Sequence, residues 1–343
     1  MKKLLNTLYI TNKDYYLALD GENIVVKQEG AVIGRFPLHN LQSVLCFHYM
    51  GVSPALLAAC CKRGIDLVFL TNSGQFGARV VGASYGNVLL RRTQYRWADQ
   101  AEKSLDLAKS FLLGKIYNCH STLARTIRDH GLRVDVPALE GAKRTLKQSL
   151  AKIPSCQSLQ QLLGIEGEAA QQYFRVFPHL ILQQREDFHF SGRSKRPPLD
   201  RTNALLSFFY MILAKDCAAA LESVGLDSYV GFLHQDRPGR TSLALDLLEE
   251  FRAVMVDRFV LTLINRKQVS AADFLYKENG AVLIQEDARK KLLAEWQTRK
   301  KVEIKHPFLR EKVEWGMLPY VQALLLARYL RGDLDAYPPF FWK

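Results

Sequence analysis

Short stretches rich in β-branched and aromatic residues fill the first 85 positions of the chain. Beyond them, apolar residues recur three and four apart over longer spans. Tyr15 to Leu19, Ile24 to Val26 and Ala31 to Phe36 read as strands, with Asp20-Gly21 and Glu29-Gly30 between them as hairpin turns. Ser53-Pro54 predicts a helix start, because serine caps free amides and proline suits the first helical position; Gly64 predicts its end. Ile65 to Thr71 and Phe76 to Val81 return to strand character across Asn72-Ser73-Gly74. From about 99 to 130 the period becomes helical, carried by Leu105, Ala108, Leu112, Ile116, Leu123 and Ile127. Further helices are expected near 139–152, 158–175, 202–224, 242–264, 284–300 and 317–331. The pattern predicts an α+β chain of two domains: a small β-rich N-terminal domain over 1–85, a connector over 86–98, and a large C-terminal all-α domain over 99–343 that carries the chemistry. The length of 343 residues suits two domains of about 150 residues each.

Charge narrows the partner. Lys and Arg total 47 against 34 Asp and Glu, a net charge of +13, which points to a polyanion and to nucleic acid first. The six cysteines form no C-x-x-C pair, so they read as reduced core residues rather than a zinc ribbon or a redox pair. The N-terminal apolar run breaks at Asn6 and Asn12, too early for an export signal, and no uncharged apolar stretch reaches the ~18 residues of a membrane span; a cytoplasmic protein is expected. No P-loop, G-x-G-x-x-G, G-x-S-x-G or H-E-x-x-H motif occurs, so the sequence gives no signal for nucleotide, dinucleotide, serine-hydrolase or zincin chemistry.

Three segments remain. Glu166 lies between Gly164 and Gly167 in a helical stretch; either a neighbour needs close approach there, or a helix begins there with acids in its first turn. His234 ends an apolar run before a polar, proline-broken loop, a place where a histidine is either structural or a ligand or acid/base group. Asp246 and Glu249, three apart, share one helix face, with Glu250 on the adjoining flank; a solvated acidic face is the ordinary account. Taken together, Glu166, His234 and Glu249, with Asp246 nearby, can make a hard divalent site for Mg²⁺ or Mn²⁺, without the thiolates of structural zinc.

Basic residues surround these segments. Arg193, Lys195 and Arg196 lie in a Gly/Pro-rich loop, Arg237 and Arg240 follow His234, and Arg252 follows Glu249; phosphate contact is their expected role. Arg91, Arg92 and Arg96 mark the connector. The runs over 289–301 read equally as DNA contacts or as a solvated helix face. Tyr173, Tyr210 and Tyr229 either stack against splayed duplex ends or are core residues. The tail from Tyr337 to Trp342 either packs on its own domain or docks a partner.

The segments LLGIEGEAAQQYF, GFLHQDRPGRTSLALDLLEEFR, VDRFVLTLINRK and HPFLREKVEWGMLPYVQALLLARYLRGDLDAYPPFFWK, together with LNTLYITNKDYYLALDGENIVV near the start, resemble the CRISPR-associated adaptation integrases in family order, and the closing segment looks most like the type I-C branch. The resemblance implies a metal-dependent DNA endonuclease and integrase that joins 3′-hydroxyl ends of duplex prespacers to CRISPR repeats by transesterification. It implies Glu166, His234 and Glu249 as metal ligands, the last at a position where many relatives carry Asp, and Asp246 as an accessory acid. It also implies a homodimer, formed through the N-terminal domain, that assembles with the small CRISPR-associated protein two. A catalytically silent DNA-binding scaffold and a standalone nuclease on branched DNA are the competing readings.

Overall fold

The computed structural model describes residues 7–41, 43–47, 51–71, 76–82 and 88–342, so the expected turn at 72–74 lies outside the described residues. The chain packs into two compact units, one of residues 1–85 with 285–302 and 314–317, the other of 86–284, 303–313 and 318–343.

The first unit holds β1 (Thr7–Ile10), β2 (Tyr15–Asp20), β3 (Asn23–Gln28), β4 (Ala31–Pro37), β5 (Ser43–Cys46), α1 (Pro54–Arg63), β6 (Asp66–Leu70) and β7 (Phe76–Val80). The strands β2-β3-β4 form the antiparallel meander that the turn residues foretell. Glu29 and Gly30 join Gln28 to Ala31 with positive φ at both positions (50° and 86°), the geometry a two-residue hairpin turn demands. A second sheet runs β1-β5-β6-β7, parallel across its first three strands. Ser53 caps α1 by accepting the Leu56 amide, and Gly64 leaves it left-handed, as expected. Leu17, Ile24, Val44, Leu56 and Leu67, all fully buried, seal the two sheets and α1 together.

The second unit holds α2 (Val88–Asp99), α3 (Ala101–His130), α4 (Val136–Lys152), α5 (Leu159–Val176), α6 (Arg201–Ser223), α7 (Ser242–Glu249), α8 (Arg258–Asn265) and a ribbon of β8 (Phe274–Tyr276) and β9 (Val282–Ile284). The stretch expected as a connector is largely the helix α2. Its buried Gln94 bonds the Asp227 amide and the carbonyls of Asp227 and Val230, fixing the chain just before His234. Helix α6 is long and apolar enough to cross a membrane, but Leu205, Leu206, Phe209, Ile212 and Leu213 are buried inside the unit, as in a core helix.

The single helix expected over 242–264 is α7, then a π-helical turn over Arg252–Asp257, then α8. Such widened turns turn side chains out of helical phase and recur at functional sites. Later in the chain come α9 (Glu286–Lys300), a ribbon of β10 (Glu303–Lys305) and β11 (Lys312–Glu314), and α10 (Leu318–Leu330). Helix α9 belongs to the sheet-bearing first unit and not to the helical one. Its Trp296 is fully buried, and Arg289, buried too, lies 5.9 Å from the Phe47 ring. Lys290 instead stays exposed beside Glu286 and Asp287, so the 289–301 run is neither one solvated face nor one free basic patch.

Candidate active site

The second unit gathers the acidic segments onto α3, which presents Lys115 between them. The Lys115 ammonium pairs with Glu166 on α5 and lies 2.9 Å from Glu249 Oε2 at the end of α7. Arg252, on the π-helical turn, donates to Glu249 Oε1 at 2.8 Å. Burial opposes the Glu249 charge, yet Arg252, Lys115 and His234 together hold its carboxyl well below the usual carboxylate range. Burial likewise pulls Lys115 down, and the Glu249 and Glu166 carboxylates outweigh it and raise its pKa. The acidic face of α7 is therefore not solvated: Asp246, Glu249 and Glu250 are all buried.

The structure brings Glu166 and Glu249 onto one positive charge and places His234 close enough to Glu249 to stabilise it. It does not close the three into a ligand shell. Among the described residues no three His, Cys, Asp or Glu side chains are disposed to share an ion as they stand.

Glu166 sits mid-helix, since Ser158 caps α5 eight residues earlier; it is not in a first turn. A Cβ added to Gly164 or Gly167 meets nothing within 4 Å, so neither glycine answers to a crowding neighbour. Both expectations for that segment are thus replaced by an interior helical glutamate flanked by open backbone.

His234 is held from behind. Its Nδ1 lies 2.7 Å from Asp246 Oδ1, which also accepts the His234 amide at 2.8 Å, while Asp246 Oδ2 accepts the amides of Phe232 and Leu233 at 2.7 and 3.0 Å. The Asp246 acceptor sites are filled, so this residue orients the imidazole and has no capacity left to ligate an ion. Nδ1 donates to it, leaving Nε2 as the nitrogen free to act. The loop closes tightly: a Cβ on Gly231 would meet the His234 carbonyl at 2.7 Å and the Ser242 Cβ at 2.8 Å. Thr241 stands at the α7 N-cap position without a side-chain bond, and the Ser242 hydroxyl donates to the Gln235 carbonyl instead of capping the helix.

Glu250 serves a different purpose. It accepts the Tyr337 hydroxyl at 2.6 Å, the Phe340 amide at 2.7 Å and Gln322 Nε2 at 2.9 Å, and so binds the C-terminal tail to its own unit; burial pushes its pKa up to about 7. Asn118, one turn from Lys115, takes both sides of the same tail through the Phe340 carbonyl and the Trp342 amide.

A cavity of about 600 Å³ opens beside Lys115 and Glu166, bounded also by Tyr173, Arg193, Lys195 and Tyr210. On its floor Asp257 receives hydroxyl bonds from both Tyr173 (3.0 Å) and Tyr210. These two tyrosines are buried, whereas Tyr229, the third residue expected to stack on bases, is exposed. Arg193 and Arg252 stack over the Tyr210 ring at 5.3 and 4.3 Å. Arg193 also bonds Asn203 and Ser207, so it shapes the cavity wall, whereas Lys195, Arg196 and Arg237 are exposed and Arg240 half-buried. Burial pushes the Cys119 thiol far up, so it supplies no thiolate to the cavity.

The donor chemistry suits a hard divalent cation. Two carboxylates already share one positive charge, and the buried Glu249 Oε2 takes no well-directed hydrogen bond. Lys115 and Asp257 escape a motif search because each is a lone polar residue on an apolar face, whereas Tyr173 and Tyr210, the partners of Asp257, prove to be the core residues that one of the two expectations named. The signal was there in Lys115, which falls in line with Leu112 and Cys119.

The family model described as CRISPR associated protein Cas1 matches residues 8–298. The CRISPR-associated endonuclease Cas1 2 of Rhodospirillum rubrum is 53% identical over the whole of both chains, and the CRISPR-associated endonuclease Cas1 1 of Chlorobaculum tepidum is 48% identical, also over the whole of both. Among solved structures, a casposase bound to integration product superposes with a TM-score of 0.83 at 22% identity, covering 98% of this chain and 94% of its own. A CAS1 protein from Thermotoga maritima superposes at 0.82 and 20% identity, covering 97% and 99%. A two-domain fold with strands over residues 7–80 and helices after them is thus shared across this group. The chain belongs to the Cas1 family of CRISPR-associated proteins.

Proposed function

We propose that this chain is the integrase and nuclease subunit of CRISPR adaptation, which joins the 3′-hydroxyl ends of a duplex prespacer to CRISPR repeats by transesterification at the Glu166–Lys115–Glu249 cluster. The observation that carries this reading is the convergence of two carboxylates on a single cationic position at the edge of a basic cavity. Glu166, Glu249 and His234 Nε2 would hold Mg²⁺ or Mn²⁺ there. When bound, such an ion neutralises phosphate charge and polarises an attacking oxygen.

The protein's own residues supply the rest. Asp246 fixes the His234 tautomer and ring plane. Lys115 keeps the two carboxylates from repelling each other, and its ammonium would be available to a phosphate oxygen were a cation held there. Arg193 and Lys195 line the cavity that would receive the strand, and Arg196, Arg237 and Arg240 extend the positive field outward. Arg252, committed to Glu249, positions that carboxylate instead of contacting DNA. An exchange of one phosphodiester for another needs no nucleotide cofactor, which agrees with the absent nucleotide motifs.

Solved neighbours include a Cas6-RT-Cas1–Cas2 complex and a TtCas1–DNA complex. By that analogy we infer assembly with a Cas2 partner on DNA; we infer also a homodimer, formed through the strand-bearing first unit, and membership of the type I-C branch, on the resemblance of the closing segment alone. A strand-transfer assay with a repeat-bearing target tests the core claim. Glu166→Ala, His234→Ala and Glu249→Ala should each abolish joining while duplex binding persists, and omission of Mg²⁺ and Mn²⁺ should do the same. Joining by all three variants would reject the site. Products that form equally well from 3′-blocked donors would assign hydrolysis instead of joining.

A further inference from the structure

A second cleft, of about 300 Å³, opens farther along α3, between that helix, Leu180–Leu182 and α8. Thr122 is 2% exposed, and its hydroxyl has no hydrogen-bond partner. A buried hydroxyl normally finds one, so its isolation on the wall of a cleft marks a place where a ligand completes it. Four arginines line the same cleft: Arg125, Arg133, Arg258 and Arg266. Among the described residues its one carboxylate, Asp129, is already held by Arg128 at 2.9 Å and Arg125 at 3.2 Å. The side chains of Arg133 and Arg266 carry no ion pair among the described residues, and both are exposed. Arg258 and Arg125 are braced on the Trp342 ring at 4.1 and 5.0 Å, which fixes the orientation of both guanidiniums.

The chemistry is that of an anion with several oxygens: a hydroxyl donor within, planar forks around it, little competing acid. Thr122 is seven residues from Lys115, hence about 10 Å along α3 and within about 20° of the same stripe. We propose that this cleft is a second phosphate site, which grips a backbone phosphate of the nucleic-acid strand whose reacting end lies at the Glu166–Lys115–Glu249 cluster. It rests on the DNA-acting function proposed above, and it adds a register: one phosphate fixed at a set distance from the reacting one.

The test measures binding, apart from chemistry. Duplex and single-stranded oligonucleotides are titrated by fluorescence anisotropy over a range of salt, with the unaltered protein, Thr122→Val, and the Arg133→Gln/Arg266→Gln pair. Trp342 emission (assigned with Trp342→Phe) reports on the cleft directly. The paired variant should bind strands about tenfold more weakly with a salt slope shallower by about one or two. Thr122→Val, which keeps the shape and removes the donor, should weaken binding about threefold. Strand binding should alter Trp342 emission in the unaltered protein and not in the paired variant. Affinity and salt slope unchanged in both variants would overturn the proposal. So would inorganic phosphate quenching Trp342 while strands do not, since the cleft would then hold a free anion and no backbone. A protein that never joins or cuts DNA but loses strand affinity in these variants would reject the catalytic reading and keep the phosphate site.

Discussion

Asp257 lies fully buried beneath the cavity, and its titration should be visible in the stability of the helical unit. Burial raises its pKa from 3.8 to about 6, against the pull of the Tyr210 and Tyr173 hydroxyls and of Arg252 and Arg193. Across that interval the native state binds more protons than the unfolded state. The contribution of the neutral carboxyl is therefore complete below the unfolded value and is lost as pH rises through about 6. A shift of this size corresponds to about 3 kcal/mol at pH 8. About 2 kcal/mol of that develops between pH 4 and pH 8.

Asp257→Asn keeps the shape of the neutral carboxyl and cannot ionise; one tyrosine hydroxyl must then accept from the amide instead of donating. The variant should match the unaltered protein or fall slightly below it at pH 4 and overtake it as pH rises. Relative to pH 4, its Tm should have gained about 4–8 °C on the unaltered protein by pH 8, in the transition of the helical unit. Scanning calorimetry at several pH values, without divalent ions, measures this. A Tm difference that stays constant from pH 4 to pH 8 would refute the argument, because it would mean that Asp257 titrates alike in both states.

Three further perturbations probe the surrounding network. Lys115→Gln leaves Glu166 and Glu249 facing each other, so Tm should fall in metal-free buffer and Mn²⁺ should restore it by a larger increment than in the unaltered protein; equal increments would detach Lys115 from the cation position. Asp246→Asn deprives the 232–234 amides of part of their acceptor at a cost of about 1–3 kcal/mol. Joining should drop at least tenfold while DNA affinity stays within about twofold, and undiminished joining would show that His234 needs no orienting partner. Glu250→Ala strands the Tyr337, Phe340 and Gln322 donors at a cost of about 2–5 kcal/mol. Limited proteolysis should then remove the tail before any other segment, and a tail as resistant as in the unaltered protein would place its anchorage elsewhere.

How much of this was written in the sequence depends on the distance over which each feature is decided. The β2-β3-β4 meander and α1 are decided locally, by turn glycines, by Ser53 and by Gly64, and they appear where those residues put them. Strands β1 and β5 are four residues each and pair in parallel, so neither has a turn to announce it. Helix α9 carries a helical period but nothing in its residues says which unit it will join. The break of one expected helix into α7, a π-helical turn and α8 is likewise invisible to periodicity, because Leu247, Phe251, Val254 and Phe259 stay buried on both sides of it.

The site divides in the same way. Glu166, His234 and Glu249 were legible as residue types that suit a cation, whereas the difference between Asp246 and Glu250 was not. Both are buried carboxylates on one helix end, and what separates them is the partner each finds: amides of the preceding loop for the first, a tail some 90 residues later for the second. Lys115 is the instructive omission. A cation on an apolar stripe is costly unless opposite charge awaits it. Here, then, a lysine in line with Leu112 and Cys119 implies buried carboxylates on neighbouring helices even before they are found.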